Sequence, residues 1–333
     1  MEAVPVRQEV GTVEAAAPTS PRGPRSSAAW LGARRGKASV RRTTGKHRRT
    51  WLLVTAFLAP ALVTILLIRV IPFLGAIWST LHVRDGVGLL ADERFAGFEN
   101  YIDLLSDPLF QATLGRTLVF NLVINPLQIA LALAIAVLLT RRLPARGLWR
   151  MAVFIPCTIP LVGSSIAWGV ALRADGPVNG ILEFLGLPAQ PFLTSPTQAL
   201  ASIMLVASWV GIGYWMVFLV AGINDIPDEL YEAAALDGAG GWRSFWSVTL
   251  PMLRRPLLFV LVADTVANFV LFVPMQMLTD GGPQNSTTML MFDAYRRTYT
   301  YSQPNQGATA TVILTVIMLV IVFVQFRLLK EDK

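Results

Sequence analysis

Between Ile226 and Pro256 the chain reads IPDELYEAAALDGAGGWRSFWSVTLPMLRRP, and the reading of this stretch sets the terms for everything on either side of it. Pro227, Asp228 and Glu229 open a helix: proline fits a first turn, and carboxylates there face the positive end of the helix dipole. Leu230, Tyr231, Glu232, Ala233, Ala234 and Ala235 continue it with good helix formers of little bulk. Asp237-Gly238 breaks it, because glycine supplies the positive φ that a helix C-terminus commonly needs. Trp242, Phe245, Trp246 and Val248 then give a second amphipathic turn or two, which Leu250-Pro251 ends. Two roles fit this short, small-surfaced helix followed by a tight turn and an aromatic helix. It inserts into a cleft on a partner protein, or it packs as an interfacial pair beneath a bundle.

The flanks are hydrophobic. The 333 residues are 54% hydrophobic and 15% charged, whereas a soluble domain carries about 25% charged residues. That deficit is too deep for a water-facing surface and implies a membrane protein. A bilayer core of about 30 Å needs roughly 20 apolar residues per helix, and six stretches qualify: 51–81, 113–140, 148–172, 198–223, 256–278 and 307–328. Prolines inside them are tolerable where neighbouring helices satisfy the freed carbonyls. Arg69, within the first stretch, snorkels or caps a broken helix. The segment FAGFENYIDLLSDPLF, residues 95–110, places Tyr101, Leu104, Leu105 and Leu109 at about helical spacing, as a short helix at the outer interface would.

Charge orients the spans. With the N-terminus in the cytoplasm, 21 of the 28 Lys/Arg fall in inner segments and six (Arg84, Arg94, Arg116, Arg173, Arg296 and Arg297) in outer ones. The positive-inside rule then puts both termini and the loop 224–255 in the cytoplasm. The tail 1–50 holds 11 Lys/Arg against Glu2, Glu9 and Glu14, with Pro18, Pro21 and Pro24 among Ala, Ser and Gly. It reads as a disordered basic segment. Its acid-free run from Arg34 to Arg49 lacks interleaved aromatics, so anionic headgroups suit it better than nucleic acid. The basic region is too long for a signal peptide, and no small-residue cleavage site follows. One cysteine, Cys157, and two histidines, His47 and His82, offer neither a disulfide framework nor a metal cluster.

The residues of the loop carry a resemblance. Glu232-Ala233-Ala234, three residues, Gly238, nine residues, Val248, one residue, then Leu250-Pro251 resembles the EAA loop of ABC importer permeases, with Val248 in place of Ile the one departure and Asp237 beside Gly238 also fitting. Gly97 with Asn100-Tyr101, Phe154-Ile155-Pro156, Trp168, Gly176-Pro177-Val178-Asn179 and the run Thr279 to Thr287 (TDGGPQNST) are similar to the carbohydrate-uptake branch, whose first paired permease typically carries that last run. The resemblance implies an all-α integral membrane fold, the six-helix bundle of a type I importer permease spanning 51–330. It implies four partners: a second permease, two cytoplasmic ATPases and an extracytoplasmic solute-binding protein. Glu232, Ala233, Ala234, Asp237, Gly238, Leu250 and Pro251 would form the ATPase-coupling surface. The chain has no Gly-x4-Gly-Lys-Ser/Thr phosphate loop, so ATP belongs to the partner ATPase and this subunit is not itself an enzyme.

Polar residues inside a span are functional hypotheses by default. Asp264 and Asn268 lie four apart on one helix face of the fifth span. Placed against maltose-type permeases, both fall at sugar-contacting positions, as does Gly211 in the fourth span. Trp209, Tyr214, Trp215, Phe269 and Phe272 are candidate aromatic faces. Cys157, Leu161, Ala207 and Leu271 depart from the polar or tyrosyl residues of those permeases. Asp264 alternatively pairs with a partner-helix arginine or accepts backbone donors. The solute is a sugar or sugar-like molecule carried across the inner (plasma) membrane. A six-helix secondary transporter or a channel without an ATPase partner is the alternative, but it explains the spans and not the loop, and no internal repeat is evident.

Overall fold

The computed structural model describes residues 44–85, 92–141 and 144–329. Packing divides the chain into Met1–Pro60 and Ala61–Lys333. The expected tail lies outside the described residues up to residue 43. From Thr44 the chain is already helical, ahead of the expected boundary at residue 51.

Helix α1 (Thr44–Ile65) continues through a π turn at Leu66–Val70 into α2 (Ile71–Thr80). A two-stranded antiparallel hairpin follows, β1 (His82–Asp85) and β2 (Asp92–Phe95), with His82 opposite Phe95. Then come α3 (Glu99–Ser106), α4 (Pro108–Thr140), α5 (Arg146–Thr158), α6 (Leu161–Ala171), α7 (Pro177–Phe184) and α8 (Ala199–Asn224). The loop holds α9 (Asp228–Leu236), α10 (Gly241–Ser244), a π turn at Phe245–Thr249 and α11 (Leu250–Met252). The chain ends in α12 (Arg254–Phe269), α13 (Val273–Leu278), α14 (Leu290–Tyr295) and α15 (Pro304–Leu329). The short helix expected within 95–110 is α3. Arg94 forks its guanidinium onto the Glu99 carboxylate at 2.7 and 2.9 Å, and that hydrogen-bonded charge holds the exposed Glu99 carboxyl below its ordinary range.

By length and composition, four helical runs can cross a membrane unbroken: Val54–Thr80, Pro108–Thr140, Ala199–Asn224 and Pro304–Leu328. Among the described residues the crossings number six if each of two bent pairs is one span, and here the expected continuous spans need correction. The third span is α5 plus α6, meeting at 99°. Ile159 precedes Pro160 and is therefore pushed into extended backbone, φ −85°, ψ 129°. The fifth is α12, about 24 Å long at 1.5 Å per residue, bent by 70° from the helical segment before it. It stops at Phe269, so residues 270–278 belong to a separate turn and to α13.

Three apolar clusters hold Ala61–Lys333 together. Ala132, Ala136 and Leu139 of α4 meet Met216, Leu219 and Ile223 of α8, with Leu253 and Val260. Phe120 and Ile124 of α4 meet Ile203, Met275, Met289 and Phe292. Leu104, Phe110, Phe269, Leu290 and Leu314 form the third. α4 runs through all three clusters and serves as the central post. It is about 50 Å long at 1.5 Å per residue, well beyond a bilayer core of about 30 Å.

Candidate functional site

The residues singled out above gather in two places, the loop and a cavity inside the bundle. In the loop, α9 starts after Pro227 with Asp228 and Glu229 in its first turn. Its end is a Schellman closure: the Ala239 N–H donates to the Ala234 carbonyl at 2.9 Å and the Gly238 N–H to the Ala235 carbonyl at 3.0 Å, with Gly238 at φ +75°. The hydroxyls of Tyr231 and Thr249 stand 3.0 Å apart and tie α9 to the following π turn. Ile226, Tyr231, Val248 and Leu253 pack into the cluster beneath α4 and α8. The other face is bare: Leu236 is 90% exposed and Trp242 75%, with Glu232, Ala233, Asp237 and Gly238 also exposed and Ala234 half-buried. Leu250-Pro251 does not end the helical run as expected. The run passes through Pro251 to Met252 and breaks at Leu253. The π turn ahead of Pro251 widens the helix where the proline ring would meet the carbonyl four residues back.

The cavity, about 370 Å³, is lined by Gly211, Asp264 and Asn268 together, and also by Cys157, Leu161, Ala207, Tyr214, Trp215, Leu271 and Gln128. Asn268 is its hub. Its amide nitrogen lies 2.8 Å from Asn125 Oδ1, 3.1 Å from Gln128 Oε1 and 3.1 Å from Asp264 Oδ1, and with two hydrogens for three acceptors the bonds compete. Asn125 donates to Thr265 Oγ1 at 3.1 Å, Gln128 to Ser208 Oγ at 3.3 Å and Gln325 to Thr265 Oγ1 at 2.8 Å. These bonds sew α4, α8 and α12 together through buried groups, and the half-buried Gln325 adds α15. A Cβ at Gly211 would stand 3.1 Å from Gln128 Nε2, so the bare backbone there makes room for the Gln128 amide. Asp264 Oδ2 is enclosed, and the Trp215 side chain is a hydrogen-bonding neighbour of this carboxyl. The wall thus combines a buried carboxyl, competing amides and two aromatic rings among apolar side chains, an arrangement that fits a hydroxyl-bearing molecule.

Of the aromatic candidates, Tyr214 and Trp215 face this cavity and three do not. Trp209 packs edge-on against Trp168 at 5.6 Å, Phe269 is sealed in the third apolar cluster, and Phe272 stacks on Tyr295 at 5.4 Å. Asn125 and Gln128 went unremarked in the sequence. Their signal was there: Asn121, Asn125 and Gln128 recur at spacings of four and three in an otherwise apolar span. A larger cleft, about 1020 Å³, opens between Arg173–Asp175, Gln190–Thr194 and Gln276–Pro283. The run Thr279 to Thr287 beside it is held by the Thr279–Thr287 hydroxyl pair at 2.7 Å and by Thr287 Oγ1 donating to the Gly282 carbonyl at 2.9 Å. Among the described residues, no group of three His, Cys, Asp or Glu side chains is placed to hold a metal ion.

A lactose transport system permease protein of Rhizobium radiobacter is 34% identical to this chain over 284 residues, covering 83% of the chain and 94% of the relative. A trehalose/maltose transport system permease protein of Thermococcus litoralis is 32% identical, covering 79% and 88%. In three dimensions the chain superposes on a subunit of a bacterial alginate ABC transporter, crystallised with an alginate pentasaccharide-bound periplasmic protein. The TM-score is 0.72 at 23% identity, over 87% of this chain and 99% of that one. The fold is the six-helix bundle of a type I ABC importer permease with its EAA loop, and the relatives are transport permeases. With residues 103–330 matching the binding-protein-dependent transport system inner membrane component, the chain belongs to that family of multi-pass inner-membrane permeases.

Proposed function

We propose that the chain is one of two paired permeases in an importer of a neutral, hydroxyl-rich sugar, with the cavity at Asp264, Asn268 and Gly211 on the solute path. The observation that carries this reading is the meeting of the Asp264 carboxyl, Asn268, bare Gly211 and the Tyr214 and Trp215 rings around one cavity. A carboxylate accepts hydroxyl donors and repels anions, and no Lys or Arg lines the cavity. Lactose and trehalose/maltose, named for two relatives, are neutral sugars of this kind. An external binding protein delivers the solute, and two ATPases, which bind the ATP, drive the cycle.

The exposed side of the loop, from Asp228 to Gly238, docks in a groove of one ATPase. Glu232 meets a basic group there, while Ala233 and Ala234 allow close approach. Both termini and the loop lie in the cytoplasm, and the basic tail rests on anionic headgroups. The test is reconstitution of the full chain with its genomic neighbours in vesicles, followed by ATP-dependent uptake. Uptake of a neutral sugar that is untouched by excess anionic sugar supports the reading. Uptake that proceeds without ATP would replace it with a secondary transporter or channel.

A further inference from the structure

At the α4–α5 corner a second arrangement has no part in coupling or in the cavity. Arg146 and Arg150 lie one turn apart at the start of α5, on one face, where like charges repel. Arg146 Nε, Arg150 Nε and Arg150 Nη2 are all enclosed and have no hydrogen-bond partner, and neither guanidinium forms an ion pair among the described residues. Ala145, at the N-cap of α5, gives no side-chain cap, and the first turn holds no acid, which leaves the helix's positive end uncompensated as well. Beside Arg150 an apolar groove of about 390 Å³ runs between α5 and α8, floored by Met216 and Val220 and walled by Met151, Phe154 and Val217. Trp149, 58% exposed, adjoins the charges, a side chain that settles at headgroup depth.

We propose that this corner is a binding site for an anionic phospholipid. The phosphate sits between the half-buried Arg146 and Arg150 side chains and supplies the negative charge that neither guanidinium finds in an ion pair. One acyl chain lies in the groove against Met151, Phe154 and Val217. Charge complementarity selects the occupant: an apolar groove ending at two unpaired guanidiniums fits a molecule with a long apolar tail and a negative head. A zwitterionic lipid fills the groove but brings its own cation to the arginines.

Native mass spectrometry of the full chain in neutral detergent, titrated with phosphatidylglycerol or phosphatidylcholine, tests this. The wild type is expected to retain phosphatidylglycerol selectively. Removing both charges in R146Q/R150Q is expected to weaken that binding about thirtyfold, at roughly 1 kcal/mol per arginine near a lipid head, with phosphatidylcholine unaffected. V217W fills the groove, keeps both arginines and should also displace the lipid. R146K/R150K, which keeps the charge, should hold most of the binding and shows that loss in the glutamine variant is not misfolding. Inorganic phosphate at millimolar concentration should not compete, because it has no chain for the groove. Equal retention of the two lipids, or unchanged phosphatidylglycerol binding in either the glutamine or the tryptophan variant, overturns the proposal, as does displacement by free phosphate.

Discussion

Asn268 of α12 reaches across 140 positions of sequence to Gln128 of α4, its amide nitrogen 3.1 Å from Gln128 Oε1. Gln128 in turn donates to Ser208, so one side chain joins three helices around the cavity. Gln128→Leu keeps much of the volume and strands Ser208, while Asn268 keeps Asn125 and Asp264 as acceptors for its two hydrogens. A buried group left without its partner costs about 1–3 kcal/mol. Thermal unfolding of the purified protein should show that loss, and uptake should fall with it, since Asn268 then divides its hydrogens between Asn125 and Asp264 and loses its link through Gln128 to α8.

Asp264→Asn separates charge from shape. The amide retains one acceptor for Asn268 and removes the ionisable group from the cavity wall. Expected is a loss of uptake with assembly and basal ATP hydrolysis intact, read by measuring all three on one preparation. Loss of assembly instead would assign Asp264 to an ion pair with the partner permease. Asn268→Ala should likewise lower uptake alone.

How far the sequence disclosed this follows from the range of each signal. The loop was legible almost to the residue: α9 opens after Pro227 and closes at Asp237-Gly238, because caps and glycines act within one turn. The six crossings were legible as apolar lengths. The bends were not, since Pro160 fixes only the local backbone of Ile159 while the 99° angle between α5 and α6 is set by what each half packs against. Asp264, Asn268 and Gly211, singled out by polarity and resemblance, line one cavity in the structure. Phe269 was misplaced because it lies about 100° around α12 from Asn268, and Phe272 because α12 ends at Phe269 and leaves it at the cap of α13. Arg297, counted only as an outer charge, is a buried hub that pattern alone does not reveal.

That hub makes a stability prediction. Arg297 Nε is 2.6 Å from Asp293 Oδ2, its Nη2 3.2 Å from Asp107 Oδ2 and its Nη1 2.9 Å from Gln306 Oε1. Asp293 is 5% exposed. Arg297→Met strands that carboxylate, and breaking a buried pair from one side costs about 3–5 kcal/mol. The unfolding midpoint should drop sharply, and R297M/D293N should recover part of the loss. An unchanged midpoint in Arg297→Met would mean that the Asp293 carboxylate is paired by another route.

The orientation proposed from 21 against six charges is tested by a reporter fused after Lys333. Activity of a cytoplasm-dependent reporter is expected there, and activity of a periplasm-dependent one would invert the whole arrangement, loop included.

Coupling makes the last prediction. The face of α9 that turns from the bundle is small and exposed, and its far end depends on Gly238 at φ +75°. Proline cannot adopt that φ and lacks the N–H that Gly238 donates to Ala235. Gly238→Pro should therefore unravel the end of α9, while the Tyr231–Thr249 contact keeps its start anchored. Glu232→Ala removes one exposed carboxylate and leaves α9 folded, since alanine is the better helix former. Both variants should insert in the membrane at wild-type levels, lose ATP-driven uptake and co-purify poorly with the ATPase. The pair discriminates between causes: loss in both assigns the docking to α9 with Glu232 as a contact. Loss in Gly238→Pro alone assigns it to the shape of the helix end. Normal uptake and co-purification in both would leave the loop as a packing element under α4 and α8, the alternative that its buried face, Ile226, Val248 and Leu253, equally satisfies.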